Sequence, residues 1–210
     1  MAKPALTRQA YIDTALTLIS EAGVEKLSMR KVASALDVSP MAMYKHFPNK
    51  NALLSATLDE LIKRADVYPD TDLPWPQWIE HIARGMYAAL CNESSWVPVL
   101  GSLQLGAQAT SVTESFIVKL SKDGFSLPQA MQAYFSVIQT VIGAVCLNTA
   151  IKQHQLDAQG LPAITPSLPQ QNHDKAIPIP QELQQIIHLD QLEISLPLLI
   201  ESLQLRLQHS

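Results

Sequence analysis

Glycine is scarce in this chain, with seven occurrences in 210 residues, and that scarcity argues against a turn-rich all-β fold. Cysteine is scarcer still. Cys91 and Cys146 stand far apart in apolar surroundings, with no CxxC pair and no Cys/His cluster, which excludes a disulfide scaffold and a thiolate metal centre. Charged residues make up 16% of the chain and apolar ones 47%, a balance that excludes a disordered, heavily solvated polymer. Met1 to Thr7 lack the basic end and apolar run of a secretory signal, so a reducing cytoplasm is the expected compartment. Catalytic signatures are missing too: no GxSxG, HExxH, GxGxxG or phosphate-loop stretch occurs. The histidines His46, His81, His154, His173, His188 and His209 are scattered without ligand spacing. No enzyme, metal or cofactor is expected.

One run lacks charge altogether. Gly124 to Ile151 is long enough to cross a bilayer, but Gln129, Gln132, Gln139 and Asn148 interrupt it. The expectation is a helix buried between other helices of a soluble bundle, with no membrane partner. Charge of the other kind is concentrated at one end. Residues 1–64 carry nine basic and six acidic side chains, whereas the remainder carries six basic and thirteen acidic, so a mildly basic segment precedes an acidic body. That asymmetry suits a nucleic-acid reader attached to a regulatory or partner domain, although a solvated charged face gives the same count.

The basic segment reads as consecutive short helices. From Thr7 to Ala22, Ile12, Ala15, Leu16 and Ile19 recur at helical spacing, and Gly23 follows where positive φ is needed. Ser28 offers an N-cap to a second helix with an inner face of Met29, Val32, Ala33 and Leu36. Ser39 and Pro40 start a third as N-cap and N1, with Val38 stapling onto Met43, and that helix is predicted to reach Phe47. Asn49 caps a fourth, facing inward with Leu54, Leu58, Leu61 and Ile62. Two short helices joined by a turn of three or four residues form a helix-turn-helix, which presents the start of its second helix to a major groove. Arg30, Lys31, Met41, Ala42, Tyr44, Lys45 and His46 would face outward, while Met43 shares the inner face with Phe47. His46 is read as a base or phosphate contact, with a cap of its short helix as the alternative. Lys50 stands at the positive end of the fourth helix, where a bound phosphate would compensate it.

These residues carry a resemblance. Leu6 to Ile62, with ALTLISEAG, LSMRKVA and VSPMAMYKHFPNKNALL, resembles the DNA-binding domain of the tetracycline-repressor (TetR) family, most specifically at Tyr44-Lys45-His46-Phe47 with Lys50 close behind. Asp37 departs from the pattern, standing in the turn where the family usually has glycine; aspartate tolerates left-handed backbone better than most residues. Trp78 through Trp96, the Gly124-Phe125-Ser126-Leu127 entry to the uncharged helix and the ending Leu192 to Leu207 are similar to the family's tetracycline-repressor-like C-terminal class.

The resemblance implies an all-α chain: an N-terminal three-helix helix-turn-helix domain (1–65) and a C-terminal helical effector-binding and dimerisation domain (66–210). Proline-rich 157–180 is expected to be a mobile loop within it. Double-stranded operator DNA, a small-molecule effector and a second copy of the chain are the expected partners. Arg30, Met41, Ala42 and Lys45 would meet base edges, and Ser28, Tyr44, His46 and Lys50 phosphates. The uncharged helix and the last helix would build a dimerising four-helix bundle, for which Leu192, Leu196, Leu199 and Leu203 form a stripe at three- and four-residue spacing. Pro197 should kink that last helix or delay its start. Trp78, His81, Tyr87, Trp96, Tyr134, Phe135 and Gln139 could surround an effector, or be ordinary core aromatics with their neighbours. Alignment on the Gly124 entry puts Gln139 and Leu147 where the tetracycline repressor has a histidine and a glutamate near its magnesium chelate, so a different, more apolar effector is expected. An activator of the same fold, or a helical small-molecule binding protein or enzyme using the N-domain as scaffold, are the competing readings.

Overall fold

A computed structural model describes residues 6–65, 67, 72–104, 106–154 and 189–208, and its described elements are helical with no strand among them. The expected loop at 157–180, and with it His173, as well as His188 and His209, lie outside the described residues. Helix α1 (Arg8–Ala22) starts where Thr7 Oγ1 accepts from the Ala10 amide at 3.3 Å, and it buries Tyr11, Ile12, Ala15 and Ile19. Gly23 ends it at φ 83°. A 3₁₀ turn at Val24–Lys26 leads to α2 (Met29–Ala35), whose first turn is capped by Ser28 Oγ accepting from the Lys31 amide at 3.2 Å.

The end of α2 shows why the turn survives without glycine. Asp37 sits at φ 54°, its amide donates to Ser34 O, and the Val38 amide donates to Ala33 O at 3.0 Å. This pair of bonds is a Schellman motif with aspartate at the left-handed position. Asp37→Val should therefore destabilise the chain by about 1–2 kcal/mol, because a β-branched side chain is poorly tolerated there. Denaturant unfolding of the two proteins measures it; equal midpoints would mean that the turn relaxes freely.

Helix α3 (Pro40–Tyr44) is shorter than expected, ending before Phe47. The Met43 carbonyl accepts from both the His46 and Phe47 amides at 2.9 Å, which tightens the exit and turns Phe47 into the core. Asn49 Oδ1 then accepts from the Ala52 amide at 2.8 Å and opens α4 (Lys50–Ala65). Helix α4 buries Leu53, Leu54, Thr57 and Leu58, whereas Leu61 and Ile62 are only half-buried. It packs on α1, on α5 (Trp75–Asn92) and on α6 (Ala107–Lys122), so it joins the first helices to the rest of the chain.

Between α5 and α6 lies a 3₁₀ segment at Ser94–Ser102 that buries Trp96. Helix α6 ends in a second Schellman motif, Gly124 at φ 100° and the Phe125 amide bonded to Leu120 O at 3.0 Å. Helix α7 (Leu127–His154) and α8 (Gln191–Gln208) complete the described chain. Pro197 lies inside α8, which starts at Gln191 before the proline, so the expected late start does not occur.

Two expectations about these helices are corrected. Leu192, Leu196 and Leu203 are buried within the chain, where α8 packs on α5 and α7, and Leu199 is half-buried. They are internal core. The outward apolar residues of α8 are Leu198 and Leu205, 63% and 57% exposed. Nor is α7 enclosed: Leu127–Ile151 is long and apolar enough to span a membrane, only 28% of its most apolar window is buried, and Leu127, Phe135 and Leu147 face outward. One side, with Ala130, Ala133, Val137, Val141 and Val145, packs on α5, α6 and α8.

Candidate DNA interface and effector cavity

The short pair α2 and α3 holds no acidic residue, and its outward side chains are those expected from the sequence. Arg30, Lys45 and His46 are exposed, Tyr44 is about half exposed, and Met41, at 72%, is a large apolar side chain held in solvent at the start of α3. Met43 and Phe47 are buried beneath them, and Ala42 is half-buried. His46 lies against Tyr11 with ring centroids 5.1 Å apart, so it is positioned by α1 and caps no helix in this geometry. Ser28 Oγ is occupied as acceptor by its own helix, which leaves its hydroxyl proton for a phosphate oxygen.

Lys50 departs from its expected setting. Its Nζ donates to Val24 O and Glu25 O, both at 3.4 Å, so backbone carbonyls of the first 3₁₀ turn already compensate its charge without any anion. The neighbouring Val24 amide donates to Ser95 Oγ at 3.2 Å, tying that turn to the second 3₁₀ segment.

The seven aromatic and polar candidates do not converge on one cavity. Trp78 is buried and packs edge-on against Phe116 at 5.4 Å; Phe116 meets Tyr134 at 5.5 Å, and the Tyr134 hydroxyl accepts from Thr113 at 2.8 Å. Trp96 is wholly buried, and the indole N–H groups of Trp78 and Trp96 have no hydrogen-bond partner in the described structure. Buried donors without acceptors are costly, by about 1–3 kcal/mol each, and they mark a place where a ligand acceptor would be favoured. Tyr87 is engaged elsewhere, its hydroxyl donating to Asp190 at 2.8 Å and accepting from Asn148, which joins α5, α7 and the start of α8. Burial, and then the bond to Asp190, push its phenol well above the usual range. Beside it, Arg84 donates to Glu193, whose carboxyl is held below its ordinary value by that bond.

In the single chain His81, Phe135 and Gln139 are exposed, and the Phe135 ring meets Tyr134 edge-on at 5.4 Å. On α7, Gln132 and Gln139, seven residues apart, share the exposed side with Phe135, so the sequence carries a polar signal for the outward face. Leu147 is likewise exposed. Phe116, between Trp78 and Tyr134, is absent from the residues expected at the cavity, although Val112, Phe116 and Leu120 follow one another at four-residue steps on α6 and give a usable signal. Among the described residues no group of three or more His, Cys, Asp or Glu could hold a metal ion.

A capped helix-turn-helix with a bare basic face, set on a larger helical body, defines the class of DNA-reading regulators. The profile of "Bacterial regulatory proteins, tetR family" matches residues 12–57. The class A tetracycline repressor of transposon 1721 from Escherichia coli is 30% identical over 142 residues, 67% of this chain and 66% of its own length. The chain belongs to the TetR family, with a tetracycline-repressor-like C-terminal part. It spans 65% of the length of the class D tetracycline repressor it also matches. Apo ActR from Streptomyces coelicolor, 20% identical, has the same fold, with a TM-score of 0.77 over 99% of both chains. BioQ, solved with its double-stranded DNA operator, is 27% identical, with a TM-score of 0.61 over 71% of this chain and 92% of its own.

Proposed function

We propose that the chain is a cytoplasmic, ligand-responsive transcriptional repressor that binds a palindromic operator as a homodimer and is released by a small, largely apolar effector. The observation that carries this reading is the acid-free outward face of α2 and α3, with Arg30, Met41, Tyr44, Lys45 and His46 all in solvent above a buried Met43 and Phe47. Arg30 and Lys45 donate to base acceptors, Met41 and Ala42 offer apolar contact to thymine methyls, and Ser28, Tyr44 and His46 hold phosphates. The BioQ complex supports DNA as the partner of this head. Tetracycline repressor proteins among the relatives support a small-molecule signal, and the Trp78, Phe116 and Tyr134 cluster, with the unpartnered indole N–H groups of Trp78 and Trp96, supplies apolar surface and two donors for such a molecule. Regulators rather than enzymes fill the set of relatives, which supports a binding function.

The test is a salt-dependent gel shift on the DNA flanking the chain's own gene. Lys45→Ala is expected to weaken binding by about 1–3 kcal/mol while leaving the melting temperature unchanged, because Lys45 is exposed at the end of α3, whose N-cap Ser39 makes no side-chain hydrogen bond. Unaltered affinity in that variant would remove α3 from the DNA interface, and a wild-type chain that shifts no duplex would overturn the reading altogether.

A further inference from the structure

We propose that Asp59 is a latch that holds the DNA-reading head to the effector-binding body, and that Gly106 is its receiving half. The first turn of α6 has no cap of its own: Gly106, at its N-cap position, offers no side chain. Asp59 of α4 fills that role from another helix. Its Oδ1 accepts from the Gln108 amide at 2.8 Å and the Ala109 amide at 3.2 Å, so two first-turn amides converge on one carboxylate. Negative charge is also favoured at that end of a helix.

Gly106 is fitted to this contact. Its φ of −86° needs no glycine, yet a Cβ built there would come within 2.4 Å of Asp59 Cγ and 2.5 and 2.8 Å of the carboxylate oxygens. The side chain is absent because the carboxylate occupies its place. Behind the latch, α1, α4 and the segment entering α6 enclose a polar cleft of about 870 Å³ bordered by Arg8, Asn49, Ser55, Lys63 and Gln104, which gives Asp59 room to swing away.

The position of the latch couples two parts of the molecule. Helix α4 follows the reading helix directly, and α6 carries Phe116 of the aromatic cluster. Phe116 stands seven residues from Ala109, about 10 Å along the helix. A ligand that shifts α6 therefore changes the Asp59 contact, and the contact sets where α3 stands relative to the body. Apart from the apolar packing of α4 on α5 and α6, the Val24 to Ser95 hydrogen bond also links these parts, and it is neutral.

The regulatory part of this inference rests on the DNA-binding reading, so the experiment has two readouts. Amide hydrogen exchange at Gln108 and Ala109 reports the contact, and fluorescence anisotropy on the duplex protected by the wild type reports operator affinity. Asp59→Ala and Gly106→Ala are each expected to speed exchange at both amides and to weaken operator binding about tenfold, since only the fraction of chains with a correctly set head remains competent. Asp59→Asn, which keeps an acceptor oxygen, should retain most of both. Gly106→Ala made in an Asp59→Ala background should cause no further loss, because the new methyl then meets no carboxylate. Unchanged exchange in Asp59→Ala, additive losses in the double variant, or accelerated exchange with operator affinity unaltered would each overturn the latch. A wild-type chain with the expected exchange pattern that binds no duplex would retire the DNA reading and leave the Asp59–Gly106 contact standing.

Discussion

In the proposed homodimer, glutamate at Leu198 and Leu205 together is expected to separate the two chains. These two leucines lie two helical turns apart on the outer face of α8, 63% and 57% exposed in the single chain, and Phe135 of α7 stands out at 53%. Burying a leucine contributes about 1.5–3 kcal/mol, so four of them across a twofold interface supply about 6–12 kcal/mol. A nanomolar dimer needs about 12 kcal/mol. Replacing all four with carboxylates removes that contribution and adds desolvation of charge. Sedimentation should show a single chain, and operator affinity should fall by roughly a hundredfold or more as avidity for two half-sites disappears. Leu196→Glu provides the contrast, because Leu196 is buried within the chain and its replacement should prevent folding outright. An unaltered dimer in the double variant would place the interface on another face.

Trp96 separates stability from ligand recognition. Trp96→Ala is expected to cost about 3–5 kcal/mol, since a wholly buried indole leaves a large cavity. Trp96→Phe should cost far less than the lost volume suggests, because it also removes a buried N–H that has no partner. The two variants part company again in a compound screen scored by tryptophan quenching and thermal shift. Compounds that quench and stabilise the wild type should fail to stabilise Trp96→Phe if they accept from the indole, while Trp78→Phe tests the second donor in the same way. Binders that stabilise both phenylalanine variants as well as the wild type would show the indole donors to be irrelevant to recognition.

Local chemistry makes the head readable from its sequence. Thr7, Ser28 and Asn49 cap the helices that follow them, and Asp37 takes the left-handed turn, all through bonds that span five residues or fewer. The body is harder, for a physical reason. Leu192, Leu196 and Leu203 recur at helical spacing, and so do Leu198 and Leu205; which set faces inward is decided by the helices packed against α8. In α7 the outward side mixes Gln132 and Gln139 with Leu127, Phe135 and Leu147, so polar residues mark it only weakly. Lys50 has no local signal for its setting, because its partners, the carbonyls of Val24 and Glu25, come from a turn about 25 residues earlier. Asp59 and Gly106 are farther apart still, and neither has a local signal pointing to the other.

The outer side of α7 bears on how much of the protein a cell must make. In the proposed dimer a second chain covers the exposed Leu127, Phe135 and Leu147 of α7, whose stretch from Leu127 to Ile151 carries no charge. The protein's melting temperature should therefore rise with protein concentration, since pairing and folding are linked by mass action. At low abundance the number of paired molecules grows with the square of the number of chains, so doubling synthesis quadruples the species able to occupy both half-sites. For the proposed repressor, gene silencing is then expected over a narrower range of expression than a single-chain reader would give.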